Sequence, residues 1–147
     1  MFRSDDDFRE VTKFIAGWAE DAKGIKGTFI RLKEKFFGKN DVTLSFICRP
    51  GISHSLRVGS IKGENKYNKL FALMDIVDDQ IEGRWLSVCF YSELVTDPDQ
   101  AGNLVPNGIL GEDGYCFDVL EYEESLLSYV EQRIDEAYEK ASRIFNV

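Results

Sequence analysis

Two segments of this chain are apolar on both sides of any strand they form. In LFALMDIV, residues 70–77, Leu70, Ala72, Met74 and Ile76 share one parity and Phe71, Leu73 and Val77 the other. In the segment from Arg84 to Val95, Leu86, Val88 and Phe90 lie opposite Trp85, Cys89 and Tyr91. Side chains alternate between the faces of a strand, so a strand apolar on both faces requires cover on both. Helices supply one cover. The sequence offers three candidates for the other: the segment 96–118, a second subunit, or a ligand.

The remaining periodicities supply the helices and two further strands. Ser4 before Asp5, Asp6 and Asp7 is a helix start, a hydroxyl cap followed by carboxylates at the positive end of the dipole. Phe8, Val11, Ile15, Trp18, Ala19 and Ala22 continue at helical spacing as far as Gly24. Phe29, Leu32 and Phe36 mark a second helix closed by Gly38; a strand over residues 28–32 is the alternative, but the LKEKFF continuation favours helix. Val42, Leu44, Phe46 and Cys48 then alternate with polar residues, Pro50 and Gly51 turn the chain, and Ile52, His54, Leu56 and Val58 alternate in their turn. A capping pair, Asp118 with Glu121, is expected to open a long last helix with Leu127, Val130, Ile134, Ala137 and Ala141 on its stripe.

This order predicts an α+β fold: an antiparallel four-stranded sheet of two hairpins, packed against N-terminal helices and a long C-terminal helix. A long glycine-rich connection precedes the last helix. The 147 residues fit one globular domain over 1–147.

Charge and cysteines limit the function classes. The net charge of −8 argues against a nucleic-acid partner, because phosphate binding relies on many lysines and arginines. The opening MFRSDDDF has no apolar run, and no segment approaches the ~20 apolar residues of a membrane span, so neither a signal peptide nor a membrane partner is expected. Cys48, Cys89 and Cys116 are odd in number and widely spaced, which suggests reduced thiols in a cytoplasmic protein. Charge is also uneven: six basic residues and one acid lie between Lys23 and Lys39, and eight acids and one arginine between Asp118 and Glu139. Two helix faces that attract each other account for this, with a docking patch for an acidic partner as the alternative.

The stretch VTDPDQAGNLVPNGILGEDGYCFDV, residues 95–119, is the least ordinary. Asn107-Gly108 and Asp113-Gly114 suit positive φ, so tight turns are expected there, with the segment lying over the second face of the sheet. Its carboxylates, Asp97, Asp99, Glu112, Asp113 and Asp118, lack calcium-loop spacing, and with one histidine and scattered thiols no metal or other cofactor is expected. A glycine-rich phosphate loop and a G-x-S-x-G elbow are both missing.

Asp75, on the second face, needs a partner, for which Arg84 is the natural choice. Arg49, His54 and Arg57 are candidates to anchor an anionic group, and Trp85, Cys89, Tyr91, Asp113 and Tyr115 to line a pocket under the 96–118 segment. Three functions follow, in this order: a non-catalytic interaction or oligomerisation module with a homo-oligomeric or other protein partner; a small-molecule binding protein or enzyme with its pocket between sheet and segment; and a hydrolase using the loop carboxylates with a divalent cation.

Overall fold

Ser4 starts the first helix as its hydroxyl requires: the Asp7 N–H donates to Ser4 Oγ at 3.1 Å, and Ser4 Oγ donates back to Asp7 Oδ2 at 2.9 Å. The computed structural model describes residues 1–19, 22–60, 70–81 and 83–145. Within them lie α1 (Asp5–Ala16), α2 (Ile25–Phe37), β1 (Val42–Arg49), β2 (Ser53–Ser60), β3 (Leu70–Asp79) and β4 (Gly83–Tyr91). A 3-10 turn (Ser92–Leu94), β5 (Asn103–Ile109), β6 (Glu112–Val119) and α3 (Glu124–Phe145) complete the order. No helix among the described residues is long and apolar enough to cross a membrane.

The class is α+β with an antiparallel sheet, but the sheet has six strands in the order β1-β2-β3-β4-β6-β5, not four. The first two hairpins form as their alternation implied, in the registers Phe46↔Leu56 and Met74↔Val88. The additional strands come from the segment expected to be a glycine-rich connection. It does not lie over the sheet. It forms a third hairpin, and β6 pairs with β4 from Leu86↔Val119 to Tyr91↔Gly114. The turn falls at Leu110 and Gly111, both at positive φ (49° and 82°), rather than at Asp113-Gly114. Asn107-Gly108 instead occupies the irregularity between Val105 and Ile109, where a Cβ on Gly108 would stand 2.6 Å from Val105 Cγ1. Asp118 is a strand residue opposite Ser87, and the last helix begins at Glu124. The alternation of Tyr115, Phe117 and Val119 toward the helices overrides the local capping signal.

All three described helices pack on one side of the sheet, around a core that includes Phe29, Phe36, Leu56, Val88, Phe117 and Ile134. Phe71 joins this side, because a register shift between Val58 and Gly59 turns it toward Phe36 and Tyr138, each 6.2 Å away. The first helix is shorter than its apolar stripe. It ends at Ala16, and Trp18 enters the core from the turn that follows. Phe8 is 54% exposed, since the residue that turns to the sheet is Asp7. Burial opposes its charge, but the Phe46 N–H at 3.1 Å, the Ser4 hydroxyl and Arg3 hold its carboxyl below the usual range.

The basic stretch and the acidic stretch meet as two helix faces. Arg31 of α2 reaches Glu124 and, at 2.8 Å, Glu131 of α3, while Lys35 and Lys39 both pair with Asp135. These cations are consumed within the fold.

Strand pairing also joins Cys89 and Cys116, directly opposite on β4 and β6, as a disulfide, so Cys48 is the one free cysteine. The expectation of three reduced thiols fails, because β6 was not foreseen as a strand. Closing a loop with a sequence separation of 27 restricts the unfolded chain by about 3–4 kcal/mol. Reduction, or the pair Cys89→Ser and Cys116→Ser, should therefore lower stability in urea titrations by up to that amount with no change of secondary structure. An unchanged midpoint would show that the bond does not constrain the chain.

Candidate functional site

Alternation sorts the eight candidate residues between the two faces of the sheet. Arg49, Arg57, Trp85, Cys89 and Tyr91 project on the side away from the helices. His54 and Tyr115 lie on the helix side, and Asp113 stands beside the β5–β6 turn. The proposed anchor of Arg49, His54 and Arg57 is thus split across the sheet. Cys89 holds its sulfur in the disulfide and offers no thiol. The 96–118 segment continues the sheet through β5 and β6 rather than lying over its face.

The open face is organised in transverse rows. One runs Ile47, Ser55, Asp75, Ser87, Asp118; beside it run Ser45, Arg57, Leu73, Cys89, Cys116; on the other flank lie Arg49, Ser53, Val77, Trp85. Ile47, Leu73, Val77 and Trp85 are half-buried on this face, on the side away from the described helices, and Ser55, Cys89 and Cys116 in the same rows are buried. Asp75 sits at the centre. Burial pushes its carboxyl up, opposed by the nearby Ser55 hydroxyl and by the charges of Arg57 and Arg49. Ser55 Oγ and Arg57 Nε are both buried without a hydrogen-bond partner. The expected Asp75–Arg84 bridge does not form, since Arg84 is on the helix side and pairs with Asp78 at 2.7 Å.

The acids of the 96–118 segment are placed apart. Asp97 accepts from the N–H groups of Ala101 and Gly102 and from the hydroxyls of Tyr115 and Tyr129. Burial works against its charge, yet these donors bring its carboxyl down to about 2. Asp97 and Tyr115 thereby tie the start of β5 to β6 and α3. Asp113 accepts from Asn107 N–H and shares with Tyr91, Glu93 and Glu112 a shallow cleft of about 310 Å³. No group of three or more metal-ligating side chains suited to an ion occurs among the described residues.

The histidine stands in a richer setting. His54 is buried, with Nε2 2.8 Å from Asp78 Oδ2, while the other carboxylate oxygen accepts from Arg84 Nε. Burial alone would raise Asp78, but Arg84 and His54 outweigh it and hold the group below its ordinary value. The Arg84 guanidinium lies over Phe14 and Trp18, at 4.7 and 4.9 Å from the ring centroids, and the His54 ring is 4.3 Å from Phe14. Beside them opens a cleft of about 280 Å³, lined by Glu10, Lys13, Phe14, Cys48, His54 and Arg84, with Gly17 and Pro50. Sequence reasoning missed Asp78, Arg84 and Cys48 as neighbours of His54. The usable signal was symmetry about the turns: Cys48 and His54 are each three residues from Gly51, and Asp78 and Arg84 are each three residues from Ile81.

Two carboxylates should respond to pH with opposite sign. Asp97, depressed to about 2, contributes stability that is present above pH 3.8 and lost as pH falls toward 2. Asp97→Asn should cost about 1–2 kcal/mol at neutral pH, allowing for its partial exposure, and flatten that acid limb in chemical denaturation. Asp75, raised, binds its proton more tightly folded than unfolded, so it lowers stability progressively as pH rises above 3.8. Asp75→Asn should therefore stabilise the isolated chain at neutral pH; a lower melting temperature for the monomer would contradict this. Compared with protein-family models, curated proteins and solved structures, this chain matches none.

Proposed function

We propose that this chain is a non-catalytic interaction module that pairs with a second copy of itself through the open face of the sheet. The observation that carries the reading is the layout of charge on that face. Arg49 and Arg57 belong to β1 and β2, whereas Asp75 lies on β3 and Asp118 on β6. A two-fold axis through the middle of the sheet sets the arginine half of one copy over the acidic half of the other. An isologous interface requires this kind of self-complementarity.

The apolar residues between the charges favour the same arrangement. Ile47, Leu73, Val77 and Trp85 gain cover, and the unpartnered Arg57 Nε and Ser55 Oγ gain access to acceptors and donors. Six strands at the usual spacing, each about eight residues long, offer on the order of 700 Å² per copy, close to the size of a standard stable interface. Opposite charge sets register and partner choice, and the apolar patch supplies most of the affinity.

The test is mass against concentration. Sedimentation equilibrium should show a species of twice 16.8 kDa that dissociates on dilution. Trp85→Glu should leave the circular dichroism intact and the protein monomeric. Arg57→Glu should weaken the dimer at least about tenfold, and adding Asp118→Arg should recover part of the loss, as expected for a pair that meets across the axis. A protein of 16.8 kDa at every concentration up to the millimolar range would remove the reading.

A further inference from the structure

Arg84 projects from β4 to the helix side of the sheet, where its guanidinium is held on three sides. Asp78 accepts from Nε at 2.7 Å, and the centroids of the Phe14 and Trp18 rings lie 4.7 and 4.9 Å from Cζ. Asp78 is itself fixed, because its second oxygen stands 2.8 Å from His54 Nε2. These contacts use one of the five N–H donors of the side chain. The two Nη groups make no hydrogen bond among the described residues, and neither is buried, the side chain being 31% exposed. A rigid fork with four donors to spare is left at the wall of a cleft.

We infer that this cleft, between α1 and the turn after β1, is a binding site for a small organic monocarboxylate, with Arg84 as its anchor. Arg84 lines the cleft, of about 280 Å³, together with Lys13, Phe14 and Pro50. The spacing of the two Nη groups matches the two oxygens of a carboxylate, which can accept from both at once. An arginine already held by Asp78 and two rings has little rotamer freedom left to lose when a ligand arrives. The charge of Arg84 is balanced by Asp78, so Lys13 supplies the net positive charge of the pair. Lys13 is exposed and makes no ion pair among the described residues, which leaves it available to the ligand.

The rest of the lining sets the class of acid. Phe14 and Pro50 give the cleft an apolar wall that suits a short hydrocarbon or aromatic body. Glu10 lies in the same wall and disfavours a second negative charge on the ligand. A phosphate dianion would be repelled by both Glu10 and Asp78, whereas a monoanion gains the fork of Arg84 and the ammonium of Lys13 at half that cost. The volume falls just below the usual range of pockets for drug-sized ligands, which fits an acid of the size of benzoate. The cleft is on the opposite side of the sheet from the contact proposed above, so neither reading depends on the other.

The probe is sodium benzoate, added to the full chain at neutral pH in a buffer free of other carboxylates and of phosphate, and followed by calorimetry and by NMR shifts. Benzoate should saturate one site per chain, with shifts centred on Phe14, Gly17, Arg84 and the Trp18 indole. Benzyl alcohol, which keeps the ring without the charge, and inorganic phosphate should each bind at least about tenfold more weakly. Arg84→Lys keeps the charge but loses the fork, and should weaken benzoate at least about tenfold. Lys13→Ala, at an exposed position, should weaken it about threefold. If Arg84→Lys disturbs the fold, the Lys13 variant and the shift map of the unaltered protein decide. The inference is overturned by the absence of saturable binding at tens of millimolar, by shifts centred on another surface, by phosphate binding as tightly as benzoate, or by an affinity unchanged in either folded variant.

Discussion

The antiparallel ladder of β3 with β4 and β6 is the constraint on which the rest of the molecule depends. Its register places Met74 opposite Val88 and Val88 opposite Phe117, all fully buried beneath the helices. Each such side chain contributes about 1.5–3 kcal/mol by leaving water. A slip of one residue would exchange this row for Leu73, Asp75 and Cys116, placing a carboxylate against the helices. The register that buries the apolar row also sends Asp75 to the open face, aligns the two sulfurs, and brings Asp78 beside Arg84 and His54.

A six-stranded open sheet has two edges, and the chain treats them differently. The outer edge of β1 is occupied from the N-terminus: the Leu44 N–H donates to Met1 O at 2.8 Å, the Arg3 N–H to Leu44 O at 2.7 Å, and the Phe46 N–H to Asp7. A buried aspartate on a helix thereby completes a strand's hydrogen bonding, which explains why the phase of α1 departs from its most apolar stripe. The edge of β5 is exposed along most of its length and carries Pro106 and a bulge. Both are devices that discourage further pairing.

The two faces of the sheet divide the candidate chemistry. On the side away from the helices, charge is spread over transverse rows in which Asp75 is half-buried and Ser55, Cys89 and Cys116 are buried. On the helix side, beyond the apolar core, His54, Asp78 and Arg84 form a hydrogen-bonded chain packed against Phe14 and Trp18.

Local pattern alone determined α2 and its Gly38 cap, the start of α1 at Ser4, the β1–β2 and β3–β4 hairpins, and the attraction between the basic and acidic helices. In each, the controlling contacts lie within one element, across one short turn, or between long charge runs that survive small errors of placement. The tertiary structure decided what depends on distant partners. Residues 103–119 read as turns because Pro106, Gly108, Gly111 and Gly114 interrupt a pattern that becomes strand only when β4 supplies the ladder. Trp18 outlasts its helix because the core, not the helix, has a place for it. The separation of His54 from Arg49 and Arg57 was implicit in their parity. Its pairing with Asp78 needed β2 and β3 in register, a relation that only the folded sheet creates.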